Sequence, residues 1–305
     1  MKNYVKQITE LNGNQVFMKS TEQVNKIIHN LIDGGCGKLQ VVSDFDKTIT
    51  KQHENGKLHI SSFGMFSRCP SVSEDHIKMN TELTKKYAPV EVDPNISMLE
   101  KKILMEEWWS LSEDSLKGMR VSPEEIARVC AELGPSLRSR TKEFFDELYK
   151  AEIPVLVFSA GLGDTVVAVL KHCDVHLSNV EVVSNFLKYD NEGTIVGFKN
   201  SIIHTYNKNE FAIKGSDFYS KVADRDNVIL MGDTLGDANM VEGMEHLSSV
   251  LKIGFLYERS EEALPSYMDT FDIVLIDDQS MNIPMAIFNL IKNNEITQST
   301  KLGNE

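Results

Sequence analysis

Four short apolar runs constrain this chain more than any other feature: LQVVSD (39–44), IPVLVFS (153–159), NVILMGD (227–233) and FDIVLID (271–277). Each is aliphatic or β-branched over about five residues and then turns polar, the pattern of a strand covered on both faces of a parallel sheet. Helical periodicity lies between and around them. Thr21–Ile32 sets Val24, Ile27, Ile28 and Leu31 on one face, Thr141–Lys150 does so with Phe144, Phe145 and Leu148, and Thr165–Cys173 with Val166, Val169 and Leu170. Strands alternating with helices predict an α/β fold built on a doubly wound, Rossmann-like parallel sheet.

The interval between the first two strands breaks the alternation. A crossover needs one helix, yet about a hundred residues intervene, far too many for a loop. Much of the interval has helical character, over Ser73–Tyr87, Ile96–Leu116 and Ser122–Leu133, the last with Pro123 following a Ser122 cap. The expected organisation is therefore an α/β core of residues 1–50 and 136–305 with a helical cap, 51–135, inserted into it. The stretch Lys51–Ser71 is mixed polar and aromatic and suggests no element. The polar tail 293–305 is expected to fray and be flexible.

Several function classes drop out on composition. No stretch reaches the roughly 18 uncharged apolar residues of a spanning helix, and MKNYVKQITE is followed by no apolar segment of a secretory signal. Cys36, Cys69, Cys130 and Cys173 lie far apart without a C-x-x-C pair, which fits reduced thiols in a cytoplasmic protein better than zinc or a disulfide framework. The formal net charge is −13. Such a surface repels nucleic-acid polymers and anionic membranes, whose binding needs Lys and Arg to neutralise phosphate. A small phosphate ester feels only the field of its own site.

The polar strand ends carry the chemistry. The first strand runs into Asp44-Phe45-Asp46-Lys47-Thr48, two carboxylates where open α/β sheets bind ligands; alone, they read equally well as solvated loop aspartates. The second ends in Ser159-Ala160-Gly161-Leu162-Gly163, a hydroxyl and glycines that let backbone N–H groups approach a phosphate. The third ends in Gly232-Asp233-Thr234-Leu235-Gly236-Asp237, and Asn207-Lys208-Asn209, opening a helical stretch, offers a lysine. A phosphate monoester is attacked very slowly by water. An aspartate nucleophile splits the reaction into two easier steps, a second carboxyl group serves as acid and then base, and the anionic pair needs a lysine and a divalent cation to offset its charge. The set meets each demand.

In this order and at these strand ends, the four segments resemble the motifs of the haloacid dehalogenase superfamily. Longer blocks narrow the likeness. LIDGGCGKLQVVSDFDKTIT, YAPVEVDP, FSAGLGD, VVSNF, GFKNSIIHTYNKN, VILMGDTLGDANM, LKIGFL and YMDTFDIVL are similar to the cytosolic 5′-nucleotidase III family, which includes pyrimidine 5′-nucleotidase, over about residues 24–291. The resemblance implies a haloacid dehalogenase-like core with a helical cap, acting with Mg²⁺ as a 5′-nucleotidase. The reaction it implies is hydrolysis of nucleoside 5′-monophosphates (CMP, UMP and/or 7-methyl-GMP) through an aspartyl-phosphate, with side phosphotransfer to a nucleoside.

It further implies that Asp44 is nucleophile and metal ligand, that Asp46 is general acid and base while lending its carbonyl to the metal, and that Asp233 is the third ligand with Asp237 in support. Ser159, Ala160 and Lys208 would hold the phosphate. Glu91 and Ser112 would meet the nucleoside from the cap. Trp109 stands where the branch accepting 7-methyl-GMP carries tryptophan, and a cationic methylated purine stacks well on that ring; its neighbour Trp108 reads as core. Two departures bear on this. Lys47 fills a position commonly methionine in relatives, adding charge beside the acid, and the cap segment 52–76 matches poorly, with Phe63 and Phe66 available there as base-stacking aromatics. The expected partner is a small nucleotide bound by a monomer. Two alternatives are a generic small-molecule phosphatase of the same superfamily and a silent nucleotide-binding relative.

Overall fold

Seven strands make the central sheet: β1 (Val16–Phe17), β2 (Leu39–Ser43), β3 (Val155–Leu162), β4 (Val180–Asn185), β5 (Asn227–Gly232), β6 (Ser249–Leu256) and β7 (Ile273–Ile276). The computed structural model describes residues 2–302 apart from 94, 135–136, 210–212, 215–216, 245 and 259. Strand order is β1-β7-β6-β5-β2-β3-β4. Neighbours run parallel except β1, a short antiparallel edge on β7. Side chains alternate between two apolar layers. Val41, Val157, Ile229 and Met231 face one layer, and Val42, Leu156, Val228 and Leu230 face the other. The chain winds from β2 out to β3 and β4, then returns to the far side of β2 for β5, β6 and β7, and this reversal opens a crevice at the carboxyl end of β2. Ser43 pairs with Val157 on β3 and with Met231 on β5, so the three chemistry-bearing strand ends lie level.

Helix α1 (Thr21–Gly34) is capped by the Ser20 side chain accepting from Gln23 N–H, and buries Val24, Ile27, Ile28 and Leu31 against the sheet. The insertion begins with a hairpin, His53–Glu54 against Lys57–Leu58. It continues with α2 (Ser62–Phe66), α3 (Glu74–Val92), α4 (Met98–Leu116) and α5 (Pro123–Leu133), starting on serine caps at Ser61, Ser73, Ser97 and Ser122. The stretch that suggested no element thus holds a hairpin and a short helix. Helix α3 continues past Tyr87 to Val92, taking Pro89 in its last turn, and so carries Glu91 at its end. Helices α3 and α4 share a small core of Leu83, Tyr87 and Met105. By contrast α2 and α5 place Met65, Phe66, Ile126, Val129 and Cys130 in the same apolar cluster as Val166, Val169 and Leu170 of α7 (Gly163–His172), which follows α6 (Thr141–Lys150). After α8 (Ser260–Thr270), α9 spans Asn282–Leu302, so the polar segment from Asn293 is helical to Leu302. Residues 303–305, the proposed boundary at 135–136 and much of the helical stretch expected after Asn209 lie outside the described residues.

Candidate active site

At the carboxyl end of β2 the chain places Asp44, whose backbone N–H donates to the Met231 carbonyl of β5 at 3.0 Å. Its carboxylate accepts from Lys208 Nζ at 2.5 Å, and the same ammonium donates to Asp237 Oδ1 at 2.8 Å. All three side chains are buried. Burial alone would lower the Lys208 pKa, but Asp237 and Asp44 outweigh it and hold the lysine charged. Burial pushes Asp44 up to about 7 against the pull of Lys208, with Asp237 adding to the rise. Asp233, on the neighbouring strand end, is raised well above the carboxylate range by burial and then by Asp44 and Asp237. The other oxygen of Asp237 accepts from the N–H groups of Asp233 and Thr234 and from the Thr234 hydroxyl, locking the turn after β5.

Oxygens of Asp44, Asp233 and Asp237 lie within 4.8 Å of one another. An all-oxygen set with more buried carboxylates than cations suits a hard divalent ion, which would relieve the repulsion that raises Asp44 and Asp233. The residues fit the expected metal.

Asp46 points at the insertion. Its two oxygens accept from Ser62, Oδ1 from the backbone N–H at 2.8 Å and Oδ2 from the hydroxyl at 2.6 Å. Burial raises the Asp46 pKa, and the two bonds from Ser62 oppose it; Lys47 contributes only a weaker lowering. The Lys47 side chain turns outward to Glu258 at 3.8 Å, while its backbone takes a left-handed φ of 61°. Arg138, returning from the insertion, fixes that turn by donating to the carbonyls of Thr48 at 2.6 Å and Lys47 at 2.5 Å.

At the end of β3, Ser159 is buried and its Oγ accepts from Gly161 N–H at 3.0 Å. The Ala160 carbonyl accepts from Asn185 Nδ2 at 2.9 Å and from Trp109 Nε1 at 3.0 Å, so Trp109 reaches from α4 directly onto this strand end. Glu91 reaches the loop before Lys208: its carboxylate accepts from the Thr205 hydroxyl and its carbonyl from Tyr206 OH at 2.6 Å and Lys101 Nζ at 2.9 Å. Burial raises the Glu91 pKa, offset in part by Thr205.

The structure thus gathers Asp44, Asp46, Asp233, Asp237, Ser159, Ala160, Lys208, Glu91 and Trp109 around one crevice. The Ser112 hydroxyl donates to the Trp108 carbonyl within α4 at 2.9 Å. Trp108 stacks on Tyr87 in the small core of the insertion, with centroids 5.8 Å apart. Phe66 is fully buried in the main apolar cluster and is no platform for a base; Phe63 packs against the same cluster. Sequence reasoning missed Ser62, Thr205, Tyr206 and Arg138. Thr205 and Tyr206 flank Lys208 closely enough to have drawn attention, whereas Ser62 and Arg138 reach their partners only through the tertiary fold.

Comparison with known proteins shows the family and the fold. Residues 47–292 match the family model for pyrimidine 5′-nucleotidase (UMPH-1). The 7-methylguanosine phosphate-specific 5′-nucleotidase of Drosophila melanogaster is 44% identical over 277 residues, covering 90% of this chain and 86% of that protein. The crystal structure of cytosolic 5′-nucleotidase IIIB bound to cytidine superposes with a TM-score of 0.92 at 42% identity, over 96% of this chain and 99% of that one. A probable phosphoserine phosphatase from Vibrio cholerae, at 12% identity and a TM-score of 0.53 over 86% of this chain and 68% of that one, shares the haloacid dehalogenase-like fold alone.

Proposed function

The chain belongs to the pyrimidine 5′-nucleotidase family and is a phosphoric monoester hydrolase, and from that premise we propose that it cleaves nucleoside 5′-monophosphates with Mg²⁺ through an aspartyl-phosphate on Asp44. The observation that carries the reading is the buried Lys208 bridging Asp44 and Asp237, with Trp109 bonded to the strand end at Ala160 and Glu91 to the loop before Lys208. In it, Asp44 attacks phosphorus, and Asp46 gives a proton to the departing 5′-oxygen and later takes one from water. Lys208 offsets the charge of the approaching anions, and the Ser159 hydroxyl and Ala160 N–H hold phosphate oxygens. Mg²⁺ held by Asp44, Asp233 and the Asp46 carbonyl, with Asp237 in support, would neutralise charge on the transferring group.

Trp109 supplies an indole face for the base and Glu91 a carboxylate for the nucleoside. Both CMP or UMP and 7-methyl-GMP fall within this reading, since a cationic base gains from an electron-rich ring. Ser112 serves by holding the α4 turn that carries the tryptophans. On this reading the enzyme acts on small nucleotides as a monomer in the cytoplasm, in keeping with the word cytosolic in the name of a Caenorhabditis elegans relative. Among the described residues no helix is long and apolar enough to cross a membrane.

Asp44→Asn removes phosphate release to below about a thousandth of wild type while the melting temperature is retained. Turnover near wild type contradicts the nucleophile assignment. The same assay with excess nucleoside acceptor yields a new nucleotide, because an aspartyl-phosphate waiting for water can be intercepted; its absence removes the phosphotransfer activity from the reading.

A further inference from the structure

We infer that Ser62, the first residue of α2, is a positioning residue that holds Asp46 in place and stabilises the carboxylate it becomes during the first chemical step. The inference rests on the acid and base role proposed for Asp46. Ser62 is fully buried, and its backbone N–H and hydroxyl donate separately to the two oxygens of that carboxyl group. The hydroxyl is not free to turn elsewhere. Leu162 N–H donates to Ser62 Oγ at 3.2 Å, occupying its acceptor side and directing its hydrogen to Asp46. The space for this contact exists because residue 161 is glycine: a side chain there would overlap the Ser62 hydroxyl and press on Asp46 Oδ2 and Ser159 Oγ.

The chemistry gives the two donors a purpose. As the Asp44–phosphorus bond forms and the bond from phosphorus to the 5′-oxygen breaks, the Asp46 proton passes to the departing oxygen. Asp46 is left with a full negative charge. Donors already aimed at both its oxygens interact more strongly with that product than with the acid, so they favour the transition state over the ground state. Each carboxyl oxygen keeps a second lone pair, so the acidic proton has a place to reside beforehand. Ser62 belongs to the insertion while Asp46 and Leu162 belong to the core. The same contact therefore ties the acid to the seating of α2 and to the strand end that carries Ser159.

The test exploits leaving-group chemistry. First-turnover release of the alcohol is measured by rapid mixing for CMP, whose 5′-alkoxide needs a proton, and for 2,4-dinitrophenyl phosphate, whose phenolate leaves without one. Ser62→Ala lowers the CMP rate by about 10- to 100-fold and leaves the dinitrophenyl ester within about threefold, with KM for CMP little changed. Normal turnover of the aryl ester also certifies that the variant is folded. Loss of both substrates alike, or of neither, overturns the inference. Asp46→Asn run in parallel separates the two levels. If that variant shows the leaving-group split and Ser62→Ala does not, the Ser62 inference fails alone; if Asp46→Asn shows no split, the acid and base reading itself fails.

Discussion

His204 and Lys208, four residues apart beside the same crevice, meet burial in opposite ways. Lys208 stays charged because two carboxylates face it. Among the described residues His204 has no such partner: its Nδ1 accepts from Tyr206 N–H at 3.2 Å and its Nε2 meets no hydrogen-bond partner. Burial, with Lys102 adding, lowers its pKa from 6.5 to about 4. The unfolded chain therefore binds a proton that the folded chain refuses between those values, so stability falls as pH drops through that window and is whole above it. His204→Gln should flatten this fall, by on the order of 1–3 kcal/mol, in urea titrations between pH 6.5 and 4. Parallel curves for the two proteins would show that His204 is not kept neutral by the fold.

The element most exposed to a single change is the pair of links joining the insertion to the core. Arg138 is fully buried and sends its guanidinium donors to the carbonyls of Lys47, Thr48 and Asp278, lying 3.7 Å over the Phe255 ring. Its own N–H donates to the Ile49 carbonyl at 3.0 Å, so the returning link is fastened to the outgoing one. Arg138→Met leaves buried carbonyls without donors and should cost about 3 kcal/mol in equilibrium denaturation. Arg138→Lys should recover little, because a point charge cannot serve three acceptors in a plane. A loss below about 1 kcal/mol for the Met variant contradicts the clamp.

What the sequence disclosed and withheld follows from the same geometry. Strands β2, β3, β5 and β7 are legible because both their faces are covered and their runs stay apolar. Strand β4 lies at the sheet edge, where VEVVSN mixes in polar residues, and Lys252 interrupts β6; neither shows a clean period. The carboxylates stood out by their place after apolar strands and Lys208 as a lysine opening a helical stretch, and the structure brings Asp44, Asp237 and Lys208 into contact. The Ser62 contact was not legible, since nothing local in SFGMF points to a carboxylate sixteen positions earlier.

At the scale of the molecule, three reaches from the insertion meet the core, two at the ends of β2 and β3 and one at the loop before Lys208. Ser62 holds Asp46, Trp109 holds the Ala160 carbonyl, and Glu91 meets Thr205 and Tyr206 beside Lys208. The side that would grip the nucleoside is thus bonded to the groups that would do the chemistry, and on the proposed reading it would exclude water while phosphate is transferred. On that reading phosphate chemistry would belong to the core and substrate choice to the insertion. The measurement that tests this most directly is phosphate release with Mg²⁺ from CMP, UMP, AMP, 7-methyl-GMP and a sugar phosphate, with Asp44→Asn as the blank. The account predicts turnover of CMP, UMP or 7-methyl-GMP at least about tenfold above AMP and the sugar phosphate. Equal, weak turnover of all five would contradict it and leave a general phosphatase.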